Sequence, residues 1–224
     1  RINRIAIGQI VLTTQVIASV VVFACSLSSG LASDWPTYRH DNHRSGFTDE
    51  ALAGKSVESD WVYHSLQPPV SAWPGPARWD SWANIRGLTS MRNYDPCFHV
   101  AVVEDLVYFG SSADDSVRAL NIATGEPTWT VTTDGPIRIA PSVSDGRVYF
   151  GSDDGRAYCV TADRGTLVWK SERADNSSLI LNDGRFVSLS PCRTGVLVDQ
   201  GQAYFAQGML PWRSTLFHCV DAAT

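Results

Sequence analysis

The chain has 224 residues, 44% of them hydrophobic and 18% charged, with 18 Lys+Arg against 23 Asp+Glu for a formal net charge of -5. This ordinary globular composition excludes a disordered tail, a coiled coil and a multi-span membrane protein. The acidic balance excludes a protein that grips duplex nucleic acid by neutralising its phosphates.

Residues 1–32 read as an export signal. Arg1 and Arg4 precede an uncharged run from Ile5 to Ala32, most apolar over 17–25 and ending in Ser, Gly and Ala. A basic start, an apolar middle and a small-residue exit are the layout of a secretory leader, and Gly30 with Ala32 fits a cleavage that starts the mature chain near Ser33. A retained membrane anchor is the alternative, because the run is long enough for about 30 Å of hydrocarbon. Both readings place the rest of the chain outside the cytoplasm, in the periplasm or cell envelope or secreted. Beyond the leader, Cys97, Cys159, Cys192 and Cys219 form no CxxC pair and have no zinc-finger spacing. Cys159 and Cys219 lie in apolar runs and are expected as buried thiols. One or two disulfides stay open in an oxidising compartment.

Residues 33–97 are irregular. The segment Asp34-Trp-Pro-Thr-Tyr-Arg-His-Asp-Asn-His-Arg-Ser-Gly46 is expected as an N-terminal closing strand, and Trp61 as the end of a partial blade. Residues 68–96 hold prolines, tryptophans and arginines without period-two alternation, the mark of a long inserted loop. Binding groups on rigid scaffolds concentrate in such loops, so Trp73, Trp79, Trp82, Arg86 and Arg92 are the candidate interaction residues. The competing reading is that their rings simply cover one end of the fold.

Residues 98–224 repeat. Val107-Tyr-Phe-Gly-Ser recurs as Val148-Tyr-Phe-Gly-Ser, and Ala119-Leu-Asn-Ile-Ala-Thr-Gly125 through Trp129 aligns with Cys159-Val-Thr-Ala-Asp-Arg-Gly165 through Trp169. A third copy starts at Gln202-Ala-Tyr-Phe and runs to Thr224, one residue before the next expected glycine. In the second copy the spacing predicts strands over 138–143, 147–151, 156–160 and 166–171. Asp145-Gly146 supplies a tight hairpin and Asp153-Asp154-Gly155 another. Four short antiparallel strands about every 40 residues are the unit of a β-propeller blade, whose faces must be buried by its neighbours. The predicted class is therefore all-β, an incomplete propeller of about three repeats. Gly125 and Gly165 permit close backbone approach, and Trp129 and Trp169 are read as the rings that pack the seams.

The motif Ala119-x-Asn121-x-x-Thr124-Gly125-x-x-x-Trp129 resembles the docking motif of the pyrroloquinoline-quinone-type propeller repeat family, with Asn121 where the family has Asp. The resemblance covers about 98–224 and includes similarity to the propeller lipoprotein of the outer-membrane β-barrel assembly machinery. It implies the fold and admits two functions. One is a noncatalytic exported platform that binds another protein or a small ligand and needs no cofactor. The other is a fragment of a dehydrogenase using pyrroloquinoline quinone with calcium. Such dehydrogenases typically carry a vicinal cysteine pair, which this sequence lacks.

Other chemistry is declined. His40 and His43 flank Asp41 but lack the further ligands a metal requires, so a solvated histidine pair is expected. The carboxylate pairs Asp114-Asp115 and Asp153-Asp154 are expected to be solvated on their turns rather than to bind metal. There is no nucleophile elbow, phosphate-binding loop or dinucleotide fingerprint. The sequence thus nominates no catalytic, cofactor-binding or metal residue, no nucleic-acid partner, and membrane contact only through an N-terminal anchor.

Overall fold

The computed structural model describes residues 33–51, 58–70, 72, 97–174, 179–182, 184–209 and 212–224. The expected leader lies outside them. Strands β1 (Val100–Val103), β2 (Leu106–Ser111), β3 (Ser116–Asn121) and β4 (Pro127–Thr132) hydrogen-bond in chain order as one antiparallel sheet. Strands β5 (Ser142–Ser144), β6 (Arg147–Gly151), β7 (Ala157–Thr161) and β8 (Leu167–Lys170) repeat that meander. A two-stranded ribbon follows, β9 (Leu179–Asn182) with β10 (Arg185–Ser188), and then a sheet of β11 (Leu197–Asp199), β12 (Gln202–Gln207) and β13 (Leu216–Asp221).

The turn chemistry behaves as its residues dictate. Asp145 and Gly146 both take positive φ, 49° and 68°, and close the β5–β6 hairpin; Gln200 and Gly201, at 48° and 75°, close β11–β12 the same way. Two left-handed residues in a two-residue loop match the twist of the strands they join. The strand expected over 138–143 is a correction: β5 spans only Ser142–Ser144. Pro141 has no N–H for the ladder, and Arg138 is drawn instead toward Asp153.

Each of the first two sheets packs against the next through a shared core. Ala101, Tyr108, Val117, Ala119 and Trp129 from the first meet Val148, Phe150, Tyr158 and Val160 from the second. Tyr149, Ala157 and Cys159, on the opposite face of the second, meet Val196, Ala203, Phe205 and Ala222 of the third. With both faces covered, a strand such as β6 reads as a continuous apolar run, Val-Tyr-Phe, rather than as an alternation.

The seams are equivalent. Trp129 Nε1 donates to the Ala162 carbonyl at 2.8 Å, and Trp169 Nε1 to the Ala222 carbonyl at 3.0 Å. Tyr108 and Tyr149 add hydroxyl bonds to the same two carbonyls, at 3.5 and 3.1 Å. Trp61 makes the matching contact one step earlier, donating to Ile122 O at 2.8 Å. Where the Trp61 and Trp129 rings land, the chain is a left-handed glycine. A methyl group on Gly125 would lie 2.6 Å from Trp61 Cδ2, and one on Gly165 would lie 2.7 Å from Trp129 Cε3.

The N-terminal segment lies across the first strands of all three sheets. Trp35 exchanges backbone bonds with Val102 of β1, Val143 of β5 donates to Pro36 O, and Asn42 donates to Val198 O of β11. The buried Thr37 and Ser142 hydroxyls bond at 2.7 Å. One short strap thus ties three blades.

Candidate interaction surface

Loops β2–β3, β6–β7 and β12–β13, together with the links between sheets, gather at one end of the blades. Here the structure brings together side chains that spacing alone kept apart. Asp153 in the β6–β7 turn is 1% exposed. Its Oδ2 accepts from Arg138 Nε and Arg193 Nη2, each at 2.7 Å, and its Oδ1 accepts from Arg193 Nε at 2.5 Å. Arg138 also donates to Val70 O at 2.6 Å, and the Asp153 carbonyl accepts from Ser188 N at 2.8 Å. The carboxylate of Asp153 therefore joins the β4–β5 link and the approach to the third blade to the second blade, and its backbone carbonyl adds the ribbon.

Asp154 is buried beside it. Tyr158 donates its hydroxyl to Asp154 Oδ2 at 2.5 Å, and Arg156 N donates to Oδ1 at 2.9 Å. Burial raises the Asp154 carboxyl above the ordinary range, against the pull of those bonds. The expectation that Asp153 and Asp154 are solvated is thus overturned: the tight β6–β7 turn faces inward beneath the ribbon. Asp114 and Asp115 differ. Burial raises the Asp114 carboxyl, but bonds from Arg118, Ser111 and Ser116 outweigh it and hold it well below the usual range. Asp115 accepts from Arg185 Nη1 at 2.7 Å.

The ribbon was not anticipated, although Asn182-Asp-Gly184, preceded by Leu179-Ile-Leu and followed by Arg185-Phe-Val, is a hairpin signal. It is pinned by Arg185, which also donates to Ser112 O at 3.0 Å and Ala113 O at 2.7 Å, and by Asn182, which donates to Ala72 O at 3.1 Å. Its opposite face carries Leu181 paired directly with Phe186, 68% and 62% exposed.

Of the residues singled out by sequence, Gly125, Trp129, Gly165 and Trp169 stand in the seams. Trp73, Trp79, Trp82, Arg86 and Arg92 lie outside the described residues. The start of their loop is held at the end of the molecule just described, since Val70 N donates to Ser112 Oγ at 2.9 Å. Cys219 is exposed, a correction to its expected burial; Cys159 and Cys192 are buried free thiols pushed up to about 11 and about 12 by burial. The histidine pair is likewise not symmetrically solvated. His40 is half-buried, with its ring centroid 4.8 Å from that of Trp35, while His43 is exposed.

Among the described residues no three His, Cys, Asp or Glu side chains converge as metal ligands. The buried Asp153 has both oxygens committed to guanidinium groups.

Four-stranded antiparallel blades, stacked through tryptophan-on-glycine seams, define a β-propeller of the quinoprotein-like repeat class. The family model for outer membrane protein assembly factor BamB matches residues 75–216, and the chain belongs to that family. BamB of Escherichia coli (strain K12) is 29% identical over 136 residues, which are 55% of this chain and 34% of that protein; BamB of Shigella dysenteriae serotype 1 (strain Sd197) gives the same figures. The chain spans about a third of the length of these curated relatives. The crystal structure of quinohemoprotein alcohol dehydrogenase from Comamonas testosteroni matches 84% of this chain and 25% of its own, at 16% identity and a TM-score of 0.54. That likeness concerns the fold alone.

Proposed function

We propose that the chain belongs to a noncatalytic, exported propeller of the cell envelope that serves as an interaction scaffold for another protein. Its relatives named as outer membrane protein assembly factors suggest a partner in outer-membrane assembly. One observation carries the reading: the polar groups at the loop-bearing end are spent on each other and on backbone carbonyls, as at Asp153, which builds a rigid platform rather than a poised reactive group. Trp73, Trp79, Trp82, Arg86 and Arg92 are proposed as contacts on the loop that leaves this platform.

The test is to add pyrroloquinoline quinone and calcium to the protein with an alcohol and an electron-accepting dye. The scaffold reading expects neither stoichiometric quinone binding nor dye reduction. Tight binding with alcohol-dependent reduction would replace it with the dehydrogenase reading.

A further inference from the structure

We infer that the seam between the second and third sheets holds an internal binding site for one water molecule, built by Gln207 and His218. The inference goes beyond the scaffold reading and does not depend on it. Strand register identifies the residues that occupy equivalent places in the three sheets. Phe109 lies opposite Arg118, Phe150 opposite Tyr158, and Phe205 opposite His218. Two positions after each phenylalanine stand Ser111, Ser152 and Gln207. In the first two sheets the paired places converge on one aspartate of the loop between their strands. Ser111 and Arg118 both bond the Asp114 side chain. Ser152 Oγ accepts from Asp154 N at 3.2 Å, while Tyr158 donates to Asp154 Oδ2 at 2.5 Å. Each aspartate stands four residues before the arginine or tyrosine it serves. Four residues before His218 stands Ser214, which is exposed.

The third sheet thus keeps the two polar places without the aspartate that satisfies them. Gln207 is wholly buried and turned to the second sheet, its Nε2 donating to Gly155 O at 2.7 Å and Glu172 O at 2.8 Å. The His218 ring stacks on buried Phe205, their centroids 4.8 Å apart. Gln207 Oε1 and His218 Nε2 are both closed off from bulk solvent, and neither has a hydrogen-bond partner among the described residues. Buried polar atoms of this kind are costly unless an internal water serves them. Their chemistry selects the occupant. Oε1 can only accept, so the occupant must donate, which excludes an ionised carboxylate in the role of Asp114 or Asp154. Nε2 donates or accepts according to its tautomer, and water answers either. A metal ion needs more ligands, and among the described residues no three His, Cys, Asp or Glu side chains converge. Bound water fixes the Gln207 carboxamide with its nitrogen toward Gly155 and Glu172, tying the third sheet to the β6–β7 turn and to the start of the link to the ribbon.

The first test is a crystal structure of the full chain that resolves ordered solvent, in which one water should lie within about 3.2 Å of both Gln207 Oε1 and His218 Nε2. The second is made in solution on His218→Phe, which keeps a ring over Phe205 and removes the nitrogen. Magnetic relaxation dispersion of water should count one long-lived internal water fewer in the variant. Its folding equilibrium constant, from urea curves, should fall about fivefold through the lost bond. A dry seam has the opposite signature, because deleting an unpaired buried nitrogen leaves that constant unchanged or raises it. Density at the two atoms that is absent or belongs to another species, an unchanged water count, or a constant that does not fall would each overturn the inference. Should His218→Phe fail to fold, the crystal structure of the wild-type chain decides alone. None of these results bears on the scaffold reading, which quinone-dependent dye reduction tests separately.

Discussion

The ring of Trp129 occupies the space that a side chain on Gly165 would need. Trp129 reaches across from the first blade, bonds Ala162 O, and stops 2.7 Å from where a Gly165 Cβ would stand. Two demands therefore meet at Gly165: its φ is +68°, which L side chains rarely adopt, and the neighbouring blade fills its open side. Gly146 has the same φ of +68° but nothing within 4 Å of a would-be Cβ.

The pair separates backbone strain from seam packing. Gly146→Ala should cost about 1 kcal/mol, from the left-handed backbone alone. Gly165→Ala should cost about 1–3 kcal/mol more through overpacking against the indole. Urea denaturation of the two variants measures the difference. Equal losses would mean that the tryptophan yields freely and that the seam does not hold the blades together.

Asp153 supports a second comparison. It is almost wholly buried between two guanidinium groups, and removing one partner of a buried ion pair strands the others. Asp153→Asn should therefore lose about 3 kcal/mol or more. Asp163→Asn, at a solvent-exposed carboxylate 3.5 Å from Arg164, should leave the urea midpoint unmoved. A small effect at Asp153 would show that the loops are held by their backbone bonds instead.

The contrast between these sites explains what a sequence can disclose. Trp129 and Gly165 lie in a repeat, so the same local spacing returns about 40 residues on and betrays a shared task; the blades and seams were legible for that reason. Asp153 sits in a turn that looks like any polar hairpin. Its partners, Arg138 and Arg193, are 15 and 40 residues away in unrelated links, and no periodicity joins them. Cys219 misled in the other direction. Its apolar neighbours suggest burial, yet it faces the side of β13 that the described residues leave exposed. The ribbon could have been found from Asn182-Asp-Gly184, but its anchoring to the first blade depends on side-chain reach across the propeller.

Thiol reactivity should follow burial. Cys97 and Cys219 are exposed, whereas Cys159 and Cys192 are buried and raised to about 11 and about 12. Near pH 8 a negligible share of the buried pair is thiolate, the form that reacts. A reduced chain starting at Ser33 should consume two equivalents of an aromatic disulfide reagent quickly and two more only on unfolding. Rapid reaction at Cys159 would mean that the seam between the second and third sheets opens readily.

Asp154 gives the pH dependence its sign. Burial raises its carboxyl in the folded protein above the unfolded value of about 3.9. The groups facing it are the Tyr158 hydroxyl, Arg156 N, Arg173, Asp134, Asp153 and Cys192. A raised folded value means that the native state binds the proton more tightly. The stability from Asp154 is thus fully present below the unfolded value and is lost as pH rises through the folded one. Asp114 acts oppositely: its lowered value gives stability above about 3.9 that is lost as pH falls toward the folded value. Comparing wild type with Asp154→Asn cancels the Asp114 contribution, because both proteins keep it. Wild type should therefore gain on the variant as pH is lowered from 7 to 4.5, read as the difference in unfolding free energy from urea curves at each pH. Parallel pH profiles would show that Asp154 titrates in the folded protein as it does in the unfolded chain, and that burial beneath the ribbon does not govern its proton.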